Sequence, residues 1–207
     1  MARKSKYEGG TKNKLTEVGT ELFFQKGFDG TSIRSIAEAA GCEVGLIYYY
    51  YDTKDDLFSD VLDRFFEPYC AEFSEVTERA KKQPYRAMHY FFTKLKDVTY
   101  EFRAKYEGNM HRTVRWAIRE HTLSLLEPYL KEIIKVQRTC GARPMLNDEG
   151  MAVFLAHGIG SVILHEDEAW VQKQSQDLER SVNQLMGITP EVQQTMLQLG
   201  KISDLKD

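Results

Sequence analysis

The sequence predicts an all-α protein with a small N-terminal helical unit and a larger helical C-terminal unit. Apolar residues recur at helical spacing through most of the 207 residues. Only five prolines occur, and no Ser/Pro/Gly-rich linker interrupts the chain. Hydrophobic residues make up 42% of the composition, which is enough for a buried core.

The N-terminal helices are predicted from apolar stripes that end at glycine. A first helix is expected over 11–26, with its stripe at Leu15, Val18, Leu22 and Phe23. Gly27 follows it as a C-cap candidate. A second helix is expected over 32–40, with Ile33, Ile36, Ala37 and Ala40 on one face, and Gly41 ends it.

Residues 42–52 contain four consecutive tyrosines, Tyr48 to Tyr51. The composition of this segment leaves its secondary structure ambiguous. Tyrosine and isoleucine favour a strand, but a lone strand among helices would leave its backbone groups without partners. A two-turn helix satisfies those groups locally. Thr53 and Asp56 resemble a capping box that opens the next helix. Helix, short glycine-containing turn and helix together indicate a helix-turn-helix.

The rest of the chain is predicted to be helical with short breaks. Pro84 suits the first turn of a helix, and "EGN" at 107–109 and "GITPE" at 187–191 suit breaks. Pro68 could kink or end the helix that contains it. The expected helices cover 54–82, 84–106, 109–120, 122–140, 147–166 and 168–186, followed by a short last helix.

Charge and cysteine content restrict the classes of function. The formal net charge is -3, so a nucleic-acid site must be a local patch. Residues 1–14 hold five basic residues and one acidic residue, whereas 15–60 hold three basic and nine acidic. A basic N-terminal arm is therefore expected to attract phosphates, the alternative being a solubilising tail.

A metal site, a disulfide framework and secretion are not indicated. The three cysteines are widely spaced and odd in number, and no apolar segment follows the N-terminal charges. We expect a cytoplasmic protein without cofactor or metal. An enzyme is a remote alternative, because no nucleophile–base signature, paired carboxylate motif or phosphate loop occurs.

Residues 14–62 resemble the DNA-binding domain of the tetracycline-repressor (TetR) family. The resemblance lies in "LFFQKGFDGTSIRSIAEAAG" and in "GLIYYYYDTKDDL", where Tyr51 stands at a position usually occupied by phenylalanine. It implies a three-helix DNA-binding domain, assigned to 1–56. It also implies a helical effector-binding and dimerisation domain, assigned to 57–207.

A helical wheel sorts the third helix into two faces. Ile47 and Tyr51 should face the core and Val44 and Tyr48 the edge, while Gly45, Leu46, Tyr49 and Tyr50 face outward. The resemblance implies phosphate contacts for Tyr48 and Tyr50, and base-edge contacts for Val44, Leu46 and Tyr49. The predicted DNA-binding set is Thr31, Ser32, Arg34, Val44, Gly45, Leu46, Tyr48, Tyr49, Tyr50 and Lys54.

Several members of this set have other possible roles. Arg34 is expected to reach a base and Lys54 a phosphate. Thr31 and Ser32 can either cap the second helix or bind a phosphate. Glu43 could cap the third helix or accept a hydrogen bond from cytosine.

An effector pocket is expected within residues 84–140, which combine aromatic and cationic side chains. Aromatic residues at helical spacing are equally typical of core packing. The predicted pocket residues are His89, Phe92, Tyr106, His111, Arg115 and Trp116.

The resemblance implies a homodimer through the helices at 147–166 and 168–186. Small residues would allow two helices to approach closely, the alternative being a helix buried within one chain. These residues are Ala152, Ala156, Gly158, Gly160 and Ser161. The predicted function is a repressor released from a palindromic operator by a small molecule. An activator or an effector-independent regulator is the alternative.

Overall fold

The computed structural model describes residues 10–106 and 108–204, without the side chains of Ser175 and residues 201–204. All regular structure in these residues is helical, which confirms the predicted fold class. The helices are α1 Gly10–Lys26, α2 Ile33–Ala40, α3 Val44–Tyr50, α4 Lys54–Lys82, α5 Ala87–Tyr106, α6 Arg112–Thr139, α7 Asp148–Phe154, a π-helix Leu155–Ile159, α8 Gly160–Ile163, α9 Glu168–Leu185 and α10 Pro190–Asp204.

The described chain divides into two compact units. The first unit runs to Pro68 and adds Tyr106–Ile118. The second unit comprises Tyr69–Lys105 and the chain from Arg119 onward. The functional division at residues 56 and 57 remains a prediction.

Glycines end the first two helices, as their positions predict. Gly27 and Gly41 have φ of 76° and 68°, in the left-handed region that favours glycine. The Gly41 N–H donates to the carbonyls of Ala37 and Glu38, which closes α2. The space around the two glycines differs. A Cβ on Gly27 would lie 2.4 Å from Nδ1 of His111, whereas a Cβ on Gly41 would meet no atom within 4 Å.

The tyrosine-rich segment is helical, and the predicted capping box follows it. Helix α3 covers seven residues and is followed by the C-cap residue Tyr51, whose N–H donates to the carbonyl of Ile47. The Asp56 N–H donates to the Thr53 hydroxyl over 3.1 Å. The Thr53 N–H in turn donates to the Asp56 carboxylate over 2.8 Å. This reciprocal pair fixes the start of α4.

The second unit has its own apolar core. Helices α4 to α9 and the π-helix contribute to it, and its largest buried side chains include Phe73, Phe91, Leu95, Leu126, Leu130, Ile133 and Ile134. Helix α4 continues through Pro68 to Lys82.

Two predicted helix boundaries in this region are wrong. Helix α5 begins at Ala87, because residues 84–86 form a turn. The Pro84 carbonyl, which a helix would use internally, accepts a hydrogen bond from buried Gln137 over 2.8 Å. The expected break near residue 121 does not occur, and α6 runs unbroken from Arg112 through Pro128 to Thr139. No glycine or proline lies at residue 121 to end it.

The predicted helix at 147–166 is divided by a π-helical turn. Asn147 caps its start by accepting from the Gly150 N–H over 2.7 Å. The wider turn at Leu155–Ile159 precedes the short α8. No helix among the described residues is both long and apolar enough to cross a membrane.

We predict that Gly27→Ala destabilises the protein more than Gly41→Ala. Both substitutions place alanine at positive φ, which costs about 1–2 kcal/mol. Only the Cβ at residue 27 also collides with a neighbouring side chain. Chemical denaturation of both variants measures the difference. Equal losses of unfolding free energy would show that contact with His111 does not constrain Gly27.

Candidate DNA-binding interface

One face of α3 is fixed in the core of the first unit. Ile47 is fully buried and Tyr51 is 4% exposed, as the helical wheel predicts. Phe23, Ile36 and Leu57 are also fully buried in this unit. The short helix therefore has a defined inner side.

The Tyr51 hydroxyl enters a polar network centred on Asp60. It donates to the Asp60 carboxylate over 2.5 Å. The Thr16 hydroxyl lies 3.0 Å from the same carboxylate oxygen, and the Lys12 ammonium lies 3.3 Å from the other. The network links the end of α3 to α1 and α4 through charge-assisted hydrogen bonds.

The network shifts the pKa values of Tyr51 and Asp60 in opposite directions. Burial raises the pKa of the Tyr51 hydroxyl, and its hydrogen bond to Asp60 adds to the shift. Burial alone would raise the pKa of Asp60, but hydrogen bonds from Tyr51, Thr16 and Lys12 hold it below its ordinary value. Since the folded state favours the carboxylate, this stabilisation is present above pH about 4 and is lost as the pH falls through the lowered pKa.

The opposite face of α3 is open to solvent. Tyr49 is 69% exposed and Tyr48 is 53% exposed. Gly45 is also exposed, and a Cβ there would meet no atom within 4 Å. Val44, Leu46 and Tyr50 are half-buried beside them. The rings of Tyr49 and Tyr50 pack edge to face with centroids 5.0 Å apart.

Two predicted contact residues, at the N-cap and in the first turn of α2, lie on the surface. The Ser32 oxygen caps α2 by accepting from the Ser35 N–H over 3.0 Å, which leaves the Ser32 hydroxyl proton to donate elsewhere. The Arg34 side chain is 84% exposed and pairs with Glu38 over 3.1 Å. An exposed pair of this kind contributes about 0.3–0.5 kcal/mol, so Arg34 can leave it at little cost.

The side chains of Thr31 and Lys54 instead donate hydrogen bonds to backbone carbonyls of the first unit. Thr31 is 1% exposed, and its hydroxyl donates to the carbonyls of Leu22 and Gly27. The Lys54 ammonium donates to the carbonyls of Phe28 and Thr31 over 2.9 and 3.2 Å. It also lies 4.0 Å from the centre of the Phe28 ring. Both side chains hold the turn between α1 and α2, so we leave them out of the proposed contacts.

An acidic side chain lies at the start of α3. Glu43 precedes α3 and its side chain makes no capping hydrogen bond, which leaves the carboxylate exposed. The cations Arg3, Lys4 and Lys6 of the predicted arm lie outside the described residues. No group of three or more His, Cys, Asp or Glu side chains among the described residues is arranged to hold a metal ion.

The sequence model of the family described as "Bacterial regulatory proteins, tetR family" matches residues 15–61, which contain this helix-turn-helix. This N-terminal segment of the chain is therefore similar to the DNA-binding domain of the TetR family. Residues 15–61 include α2, α3 and the Tyr51–Asp60 hydrogen bond.

Proteins with similar sequences carry the names of transcriptional regulators. The chain is 44% identical to the probable regulator YttP of Bacillus subtilis over 59 residues, which cover 28% of each chain. It is 27% identical to the repressor DhaR of Mycobacterium sp. over 68% of this chain and 74% of DhaR. The match to YttP therefore spans less than a third of that protein.

A solved structure supports the fold over a longer stretch. Reduced NemR of Escherichia coli shares 14% identity with a TM-score of 0.56, over 87% of this chain and 98% of NemR. At this identity the likeness shows the fold alone. The likeness in fold thus extends beyond residues 15–61.

Two of the six predicted effector-pocket residues lie together in one cavity. His89 and Phe92 line a cavity in the second unit, together with residues of α5, the π-helix, α8 and α9. The other four predicted residues belong to the first unit and do not line this cavity. The ring of Tyr106 packs against those of Phe24 and Phe65. The His111 ring is hydrogen-bonded to the Thr113 hydroxyl near Gly27. The Trp116 ring is exposed and lies under the guanidinium of Arg112. Arg115 is also exposed.

Sequence reasoning missed the residues that position α3. Lys12, Thr16 and Asp60 are polar residues whose role depends on the contact between α1 and α4. The one available signal was Tyr51 itself, because a tyrosine at a buried position needs a partner for its hydroxyl.

We predict that Tyr51→Ala lowers the free energy of unfolding by about 3–5 kcal/mol, the usual cost of removing a buried aromatic ring. Tyr49→Ala, on the exposed face of the same helix, should change it by less than about 0.5 kcal/mol. Urea unfolding followed by circular dichroism provides the comparison. Similar losses for the two variants would contradict the assignment of faces.

Proposed function

We propose that this protein is a transcriptional repressor of the TetR family whose helix α3 binds the major groove of operator DNA. The observation that carries the proposal is the two-sided character of α3. Its inner face is held by Ile47 and Tyr51, while Tyr48 and Tyr49 project into solvent beside Gly45. Residues 1–56 would bind DNA, and 57–207 would bind the effector and form the dimer.

Each exposed group has a suitable role on DNA. The hydroxyls of Tyr48 and Tyr50 would bond phosphates without adding charge. The missing side chain of Gly45 lets the backbone approach the groove, and Val44 and Leu46 suit thymine methyl groups. Tyr49 would meet base edges, Ser32 would donate to a phosphate, and Arg34 would leave Glu38 for a base.

A dimer would present two α3 helices to a palindromic site. The small residues expected at its interface are mostly turned inward, since Ala152, Ala156 and Gly160 are buried within the chain. A Cβ on Gly160 would lie 3.1 Å from the side chain of Leu123. The outward side of this segment instead exposes Val153 and Phe154, and Trp170 is exposed on α9. These apolar groups are the interface we propose.

Repression is favoured over activation by the names of relatives such as DhaR. Release would follow if an effector binds better to the conformation that binds DNA weakly. The cavity among α5, the π-helix, α8 and α9 is the candidate effector site.

We predict that the full chain binds the DNA upstream of its own coding sequence as two chains per duplex. Fluorescence anisotropy against scrambled DNA, over a range of salt concentrations, measures affinity and specificity. Tyr49→Phe should weaken specific binding by about three- to tenfold, because it removes one hydrogen-bonding hydroxyl. In vitro transcription from that DNA should fall as the protein is added.

Matched variants test the dimer in the same assay. Phe154→Glu should reduce the stoichiometry to one chain and weaken binding, whereas Leu197→Glu, at an exposed position on α10, should not. Equal affinity for specific and scrambled DNA at every salt concentration would refute the proposed function. Increased transcription would identify an activator.

A further inference from the structure

The cavity of the second unit is an apolar groove with polar groups along its sides. Its volume is about 190 Å³. Met88 and Phe92 of α5, Ile159 and Ile163, and Val182 of α9 supply apolar walls. Polar side chains come from both long helices: His89, Thr93 and Lys96 from α5, and Gln176, Glu179 and Asn183 from α9.

Lys96 is the unusual member of this lining. It is half-buried, and its ammonium forms no hydrogen bond or ion pair with the described residues. Lys94, two residues earlier on α5, pairs instead with Glu72 over 3.0 Å. A half-buried cation beside apolar walls lacks both full hydration and a protein counter-charge. An anionic ligand would neutralise this charge and accept its hydrogen bonds.

The groove has a second, acidic end. Glu179 lies on α9 with its carboxylate 4.0 Å from Nδ1 of His89. Arg103, near the end of α5, lies 3.4 Å from Glu168 at the start of α9, so the two helices run antiparallel. Lys96 is seven residues beyond His89, which is about 10.5 Å along a helix. The cationic and acidic ends are therefore two turns apart.

We propose that this groove binds a small monocarboxylic acid with an apolar body, its carboxylate paired with Lys96. This inference rests on the proposed function, in which the groove is the effector site. A cavity of about 150 Å³ can accept benzene, and the volume of this groove is slightly larger. A ligand whose apolar part is about one ring or a short chain therefore fits. The acidic end at Glu179 disfavours a second carboxylate at the far end of the ligand.

Isothermal titration calorimetry on the full chain tests the ligand class with three probes of matched shape. Benzoate carries one carboxylate, benzamide is its neutral analogue, and terephthalate adds a carboxylate at the opposite end of the ring. Benzoate should bind at least about tenfold more tightly than either analogue, because benzamide lacks the charge-assisted bond to Lys96 and the second carboxylate of terephthalate is directed toward the acidic end of the groove.

Two substitutions test the location. Lys96→Met keeps the apolar stem and should weaken benzoate about tenfold while leaving benzamide unchanged. Lys173→Met makes the same change at an exposed position on α9 that does not line the groove, and should have no effect. Thr93→Phe should obstruct the groove and abolish benzoate binding, with circular dichroism confirming that the variant is folded.

The outcomes separate this inference from the proposed function. Equal binding of benzoate and benzamide, no binding of benzoate, or benzoate binding that Lys96→Met leaves intact would overturn it, even if operator binding is normal. Benzoate binding that depends on Lys96 supports it, even if the chain fails to distinguish operator from scrambled DNA.

Discussion

The Asp60 carboxylate joins three helices of the first unit at one point. It receives hydrogen bonds from Tyr51 at the end of α3 and from Thr16 and Lys12 on α1. Helix α3 has seven residues and no side-chain N-cap, so its own hydrogen bonds are too few to stabilise it or fix its orientation. The burial of Ile47 and the Tyr51–Asp60 hydrogen bond supply that orientation from outside the helix. The exposed face of α3 depends on them.

The proposed DNA contacts follow from this arrangement. Four consecutive tyrosines would be unfavourable on a helix surrounded only by water or only by protein. Here Tyr51 is buried, Tyr50 is half-buried, and Tyr48 and Tyr49 are exposed. The four tyrosines therefore extend from the core of the first unit to the surface that we propose contacts DNA. Thr31 and Lys54 stabilise the turn before α2 by donating to its carbonyls, and so support the same surface without being part of it.

The sequence predicted features that depend on local spacing. Gly27, Gly41 and the Thr53–Asp56 capping box mark helix ends through their own conformations or nearby backbone groups. The inner face of α3, at Ile47 and Tyr51, follows from helical geometry. Features that depend on contacts between residues far apart in the sequence were missed or misplaced. The Lys54 side chain points inward because it donates to the carbonyls of Phe28 and Thr31. The start of α5 depends on the hydrogen bond from Gln137 to the Pro84 carbonyl. Four of the six predicted pocket residues do not line the cavity of the second unit, because aromatic composition does not reveal which helices enclose a cavity.

A double-mutant cycle between Tyr51→Phe and Asp60→Asn tests the central claim most directly. The free energies of unfolding of the four proteins at pH 7 should give a coupling energy of about 1–2 kcal/mol, because the hydroxyl and the carboxylate act as one unit. The coupling should decline below pH about 4, as protonation of Asp60 removes the charge. Additive effects of the two substitutions at pH 7 would contradict the account, since α3 would then be oriented without this hydrogen bond.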